Sequence, residues 1–233
     1  MTLGHVFKTF DNKAALQQAA ADWLAAALND SIDRRGSAVF MGSGGRTPGP
    51  IYETLSHADL DWGQVQIGLC DERWVDVDHP ASNGAMIERT LLQNKAVAAD
   101  YMPLKTKGED PFLAVATIND LYLDASLIDV MLLGMGPDAH TLSWFAGARG
   151  YETAIDPDTT SVVAAIEAIE SEVTGPNLLR MTLTLPCVAY ARKVLLLITG
   201  ADKRAVFETA PDDAPVSLMK RAAGDSLTVY YCD

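Results

Sequence analysis

Asp138 and His140 stand two residues apart in the stretch Gly134-Met135-Gly136-Pro137-Asp138-Ala139-His140. An imidazole has an ordinary pKa of about 6.5, so near neutral pH it can take a proton from water and return it. A carboxylate this close can orient the ring or bind a substrate hydroxyl. Before the pair runs an apolar segment, Val130-Met131-Leu132-Leu133, bounded by Asp129 and Gly134 and too short for a helix. Such a run reads as a central parallel strand covered on both faces. Two glycines and a proline then force a tight turn, and Thr141 is placed to cap a short segment over 142–145. The acid and the imidazole are therefore expected where a strand ends and a helix begins. In open α/β sheets that carboxyl edge is where ligands bind. If the turn requires a positive φ at Ala139, the residue stores strain on the order of 1 kcal/mol.

A second group of residues could hold an anion. Ser37 to Met41 reads as a strand, followed by Gly42-Ser43-Gly44-Gly45-Arg46-Thr47-Pro48. Gly44 and Gly45 let backbone N–H groups approach an oxyanion, Arg46 adds charge, and a helix starting at Pro48 behind an N-cap at Thr47 adds its dipole. The turn is neither a P-loop nor a dinucleotide fingerprint. Nor is it a nucleophile elbow, since Met41 stands where that motif needs glycine. Further on, the strand Val65 to Cys70 delivers Asp71-Glu72-Arg73, and Ser82 caps a helix running to about Leu92 that opens with Asn83. Arg180 heads the alternating run Met181, Leu183, Leu185, which suits an extended segment. Lys203 follows the apolar strand Lys193 to Thr199, in a turn that becomes a helix to about Thr209.

The remaining elements frame these groups. Leu16, Ala19, Ala20, Trp23, Leu24, Ala27 and Leu28 recur at helical spacing between Asp11 and Asn29, with Asp11 as the expected N-cap. Asp110-Pro111 opens another helix, to about Asp124, and residues 161–169 fit a strand or a helix equally. Asp225 to Tyr231 is expected to be a last, edge strand. Strands near 37, 65, 128 and 193 alternate with helices. The fold class that follows is α/β: a doubly wound, mostly parallel sheet flanked by helices, Rossmann-like, in a single domain over residues 1–233.

Composition narrows the partners. The 233 residues carry 18 Lys plus Arg against 31 Asp plus Glu, a formal net charge of −13. So acidic a surface repels nucleic acid and anionic membranes, and an anionic substrate would need basic residues gathered locally. The three cysteines, Cys70, Cys187 and Cys232, show no spacing for zinc or a disulfide framework. The N-terminal residues do not read as a signal peptide and no apolar run is long enough to cross a membrane, so a cytoplasmic location is expected.

Gly134, Gly136, Asp138, His140, Ser143, Phe145 and Gly147 together resemble the G-x-G-x-D-G-H-x-A-S-x-F-P-G signature of the 6-phosphogluconolactonases, and more loosely the glucosamine-6-phosphate deaminases. Ala139 stands where the family usually has Gly, and Ala146 where it usually has Pro. The glycine turn is similar to the family's S-G-G-S-T-P loop, with Arg46 in place of Ser. D-E-R-x-V with H-P-x-S-N, R-M-T-L-T-L-P and the Lys203 context follow in family order. The resemblance implies hydrolysis of 6-phospho-D-glucono-1,5-lactone to 6-phospho-D-gluconate, in the pentose phosphate pathway, without metal or organic cofactor. It implies His140 as general base beside Asp138, and Arg46, Thr47, Arg180 and Lys203 as the phosphate grip. Asp71, Arg73 and Asn83 would border the sugar, with Arg73 or backbone N–H groups facing the oxyanion. The deaminase branch carries I-A-F-N-E-P-G after its histidine, whereas 142–147 here contain no carboxylate. A non-catalytic sugar-phosphate sensor on the same fold would usually add a basic helix-turn-helix, and none is visible.

Overall fold

The computed structural model describes residues 5–123 and 127–233. The chain opens with a short strand β1 (Val6–Thr9) and a long helix α1 (Lys13–Arg35). Asn12 caps α1 in place of Asp11: its side chain accepts from the Ala15 N–H at 2.9 Å. The helix outruns its expected end at Asn29 because nothing breaks it before Gly36, which takes φ +79° and donates back to the Ile32 carbonyl. Next come β2 (Ala38–Gly42), α2 (Pro48–Leu55), β3 (Val65–Leu69), β4 (Asp71–Arg73) and α3 (Asn83–Thr90). Ser82 caps α3 through the Ala85 N–H, as its sequence position predicts. After β5 (Asp100–Tyr101) and α4 (Pro111–Leu123) the chain enters β6 (Val130–Gly134). The expected end of α4 at Asp124 lies outside the described residues. The last third holds α5 (Tyr151–Ile155), β7 (Val163–Glu167), β8 (Leu179–Leu183), α6 (Leu185–Tyr190), β9 (Lys193–Thr199), α7 (Ala201–Thr209), α8 (Pro215–Ala223) and β10 (Leu227–Cys232).

Seven strands form one parallel sheet in the order β1-β10-β9-β6-β2-β3-β5. The strand β10 is not an edge, as the sequence suggests, because β1 pairs with its outer side from Val6↔Thr228 to Thr9↔Tyr231. The strands β2, β6 and β9 are buried almost throughout, which is why they read as unbroken apolar runs. Their amino ends are fastened by Asp129, fully buried, which accepts from Arg35 at 2.5 Å and from the Val39 N–H at 2.9 Å. Among the described residues no helix is long and apolar enough to cross a membrane.

A second sheet, antiparallel with order β4-β8-β7, stands apart from the first. Cys70 joins them: its N–H donates to the Gly42 carbonyl of the main sheet, and its carbonyl accepts from Leu183 of the small one. The chain thus leaves the parallel sheet at the carboxyl end of β3 and turns Asp71 and Arg73 toward the same edge. From β2 the chain winds outward to β3 and β5, then returns to β6 on the other side of β2 and winds out again. The switch point therefore falls between β2 and β6, and the loops leaving those two strands border a crevice of the kind that binds ligands.

Candidate active site

The loop after β6 is a compact ring. The Gly136 N–H donates to the His140 carbonyl at 2.9 Å, and Ala139 donates back to Gly136 at 3.3 Å. No helix begins here. Thr141 does not cap one; its hydroxyl donates to the Gly134 carbonyl at 2.9 Å and closes the loop instead. Ala139 and Leu142 both adopt positive φ, +66° and +52°, which no helix can absorb. The strain anticipated at Ala139 is therefore present. Ala139→Gly is expected to stabilise the fold by up to about 1 kcal/mol, raising Tm by about 2–4 °C. Thermal unfolding checks this, and a lower Tm would mean that the turn holds no strain for glycine to release.

Within this ring His140 Nδ1 meets Asp138 Oδ1 at 2.5 Å. The carboxylate accepts from Nδ1–H, which assigns the tautomer and leaves the Nε2 lone pair free. Burial pushes the Asp138 carboxyl up, but the hydrogen bond and charge of His140 outweigh it and hold the group below its ordinary value. Gly136 is what allows the pair to form. A Cβ there would fall well inside van der Waals contact of the imidazole and of Asp138 Oδ1. The ring of His140 packs against Phe145 with 4.5 Å between ring centroids, and the Arg180 guanidinium lies 5.1 Å from the same Phe145 centroid.

The small sheet presents the second wall. Asp71 pairs with Thr182 and Arg73 with Arg180, so these four side chains share one face. Ser143 donates to Asp71 Oδ2 at 2.6 Å, and Asn83 Nδ2 donates to the Asp71 carbonyl at 2.8 Å and to Oδ1 at 3.2 Å. Trp144, fully buried, anchors the Ser143–Phe145 turn by donating from its indole to the Leu183 carbonyl. Arg180 is buried and donates to the carbonyls of Thr174 at 2.7 Å and Asn177 at 3.2 Å. Burial lowers its guanidinium pKa; Asp71 opposes that shift and Arg73 adds to it. Two arginines directly opposite on neighbouring strands repel each other.

The glycine turn and Lys203 form the third wall. Lys203 Nζ donates to the Met135 carbonyl at 2.6 Å, tying the start of α7 to the loop that carries His140. Burial lowers its pKa, the charge of Arg46 lowers it further, and Asp138 raises it. Thr47 occupies the N-cap position of α2 but makes no capping bond; its backbone is already helical, at φ −81° and ψ −41°. Gly44 faces Asn83 so closely that any Cβ would overlap the amide. The structure thus puts Lys203 within reach of the charges of Arg46 and Asp138, and Arg180 with Arg73 and Asp71, with Phe145 touching both His140 and Arg180. Ser143, Phe145 and Gly136 carry contacts that residue types alone did not assign, though all three lie inside the same short motif.

Across residues 11–228 the chain matches the family model described as glucosamine-6-phosphate isomerases/6-phosphogluconolactonase. It is 36% identical to the 6-phosphogluconolactonase of Neisseria meningitidis serogroup A over 98% of this chain and 99% of that protein. Identity to the 6-phosphogluconolactonase of Rhizobium meliloti is also 36%, covering 95% and 96% of the two chains. The structure superposes on that of a 6-phosphogluconolactonase from Shewanella baltica with a TM-score of 0.89, at 31% identity and 98% coverage of either chain.

Proposed function

Since the chain belongs to the glucosamine-6-phosphate isomerase/6-phosphogluconolactonase family, we propose that it hydrolyses 6-phospho-D-glucono-1,5-lactone to 6-phospho-D-gluconate, the lactonase step of the pentose phosphate pathway. The single observation that carries the reading is the Asp138–His140 pair at the switch-point edge, with Nε2 left free. In this mechanism Nε2 takes a proton from water as the water oxygen attacks the lactone carbonyl carbon. Negative charge gathers on the former carbonyl oxygen, where Arg73 or backbone N–H groups of the site stabilise it. The intermediate collapses, the bond to the ring oxygen breaks, and that oxygen recovers the proton from the imidazolium. The products are a free hydroxyl and an open-chain carboxylic acid, which releases its proton to solvent to become the carboxylate. Asp138 holds the ring and stabilises its charged form. Asp71 and Asn83, locked together, meet the sugar hydroxyls.

The phosphate falls to Arg46, Thr47, Lys203 and Arg180, with the N–H groups of Gly44 and Gly45. Four features support this: a glycine turn against a helix start, the proximity of Arg46 to Lys203, a buried Arg180, and a chain of net charge −13 that must concentrate its cations to hold an anion. Lys203→Ala or Arg180→Ala is expected to lower kcat/KM for the phosphorylated lactone about ten- to hundredfold more than for glucono-1,5-lactone. The ratio between substrates is independent of how much protein is folded, and equal losses would remove these residues from phosphate recognition. The activity itself is tested by acid release from the phosphorylated lactone, after subtracting spontaneous hydrolysis, beside ammonia release from glucosamine 6-phosphate. Rapid acid release and no ammonia is the expected result; ammonia without acid release would overturn the lactonase reading.

A further inference from the structure

Glu72 lies between two residues of the proposed sugar wall but points away from it, since successive side chains on β4 face opposite sides. Glu72 is 3% exposed, and its carboxylate collects four donors. Oε1 accepts from the N–H of Arg73 at 2.7 Å and of Asn83 at 2.8 Å; Oε2 accepts from the Gly84 N–H at 2.7 Å and the Ser82 hydroxyl at 3.0 Å. The first N–H groups of α3, which no helical carbonyl can reach, thus end on one carboxylate held within the fold. Gly84 makes the approach possible, because a Cβ there would sit 2.6 Å from the Tyr101 hydroxyl and 3.1 Å from Glu72 Oε2. Burial pushes the carboxyl up, and the four donors work against that shift.

We propose that Glu72 is a positioning residue for the lactonase site: by fixing the first turn of α3 it aims the Asn83 side chain at Asp71. The consequence runs along a continuous chain of contacts. Asn83 Nδ2 holds both the carbonyl and Oδ1 of Asp71, Asp71 Oδ2 receives Ser143, and Ser143 begins the turn that carries Phe145 against His140. Glu72 touches none of the reacting atoms in this arrangement. A well-packed hydrocarbon could fill its volume, but only an acceptor with two oxygens serves four donors on β4 and α3 at once.

The proposal rests on the lactonase reading, and its test separates the two. Glu72→Gln keeps the shape but turns an amide toward one pair of donors. It is expected to lower kcat/KM about ten- to hundredfold, the scale of hydrogen bonds to a charged group. In an Asn83→Ala background the same change is expected to cost less than about threefold, because the residue through which it acts is gone. Equal factors in both backgrounds, or no loss in folded Glu72→Gln protein, would overturn the proposal. The side-chain amide signal of Asn83 in a proton–nitrogen correlation spectrum reads the same contact without substrate. It should shift or broaden in Glu72→Gln, and an unmoved signal overturns the proposal whatever the activity. Should Glu72→Gln not fold, Glu72→Asp, one methylene shorter with its charge kept, enters the same cycle with the same two outcomes. Wild-type protein that hydrolyses no lactone would sink the functional reading instead, while the spectrum still decides the role of Glu72.

Discussion

Replacing His140 with Asn is expected to lower kcat by about 10²–10⁴ while KM changes little. Asparagine keeps a polar group of roughly the same size against Phe145 and can still reach Asp138, so binding and fold are spared. What it lacks is a lone pair that accepts a proton in the transition state. No other described histidine is placed to substitute. His57 contacts Asn94 on the surface, His79 accepts from the Ala81 N–H in an exposed loop, and His5 packs on Phe207. These lactones open slowly without enzyme, so the spontaneous rate is measured and subtracted at every condition. A variant that keeps near wild-type kcat above that blank would remove His140 from the chemistry.

Gly136→Ala is expected to cost about 10² in kcat without unfolding the protein. The φ of Gly136 is not in the left-handed region, so its backbone accepts alanine. The cost falls on the side chains: the new methyl would occupy space now held by the imidazole and by Asp138 Oδ1. One of them must swing away, and a displacement of about 1 Å in a catalytic group is enough for a loss of this order. Gly134→Ala is the control, since a Cβ there meets nothing within 4 Å. The expected pattern is a similar Tm for both variants with kcat lost only in Gly136→Ala. Wild-type kcat in Gly136→Ala would show that the loop yields and that the Asp138–His140 geometry is not what the glycine protects.

How much of this was legible in the sequence depends on the range of the interaction. The central strands were plain because burial on both faces writes continuous apolar runs, as in Val130–Leu133 and Lys193–Thr199. The cap at Ser82 was legible because a side-chain hydroxyl three residues before its target N–H is a local bond. Caps failed where the local geometry had alternatives: Asn12 lay next to Asp11, and Thr141 found the Gly134 carbonyl. The small sheet was legible only in part: alternation marked the extended segment that became β8, while 161–169, which became β7, fitted a strand or a helix equally. Its pairing was not legible, because β4 has three residues and its partner β8 lies far along the chain, so tertiary contact sets it. The same holds for β1, which turns β10 from an edge into an interior strand. Motif spacing marked the residues of the candidate site, but the contacts among them needed three dimensions. Ser143 on Asp71 and Phe145 between His140 and Arg180 join segments that share no local pattern.

The proposed hydrolysis turns on one proton acceptor, and the pH dependence of kcat/KM reads it directly. Asp138 is held below its ordinary value, so it stays ionised through the neutral range and keeps its charge beside the ring. As pH falls the ring takes a proton, Nε2 can no longer accept one from water, and the rate drops about tenfold per pH unit below a single ionisation. In His140→Asn protein the residual rate above the blank should lose that acid limb. A wild-type profile that stays flat as the solution is acidified through the histidine range, or an acid limb that survives unchanged in His140→Asn, would contradict the assignment of His140 as the general base.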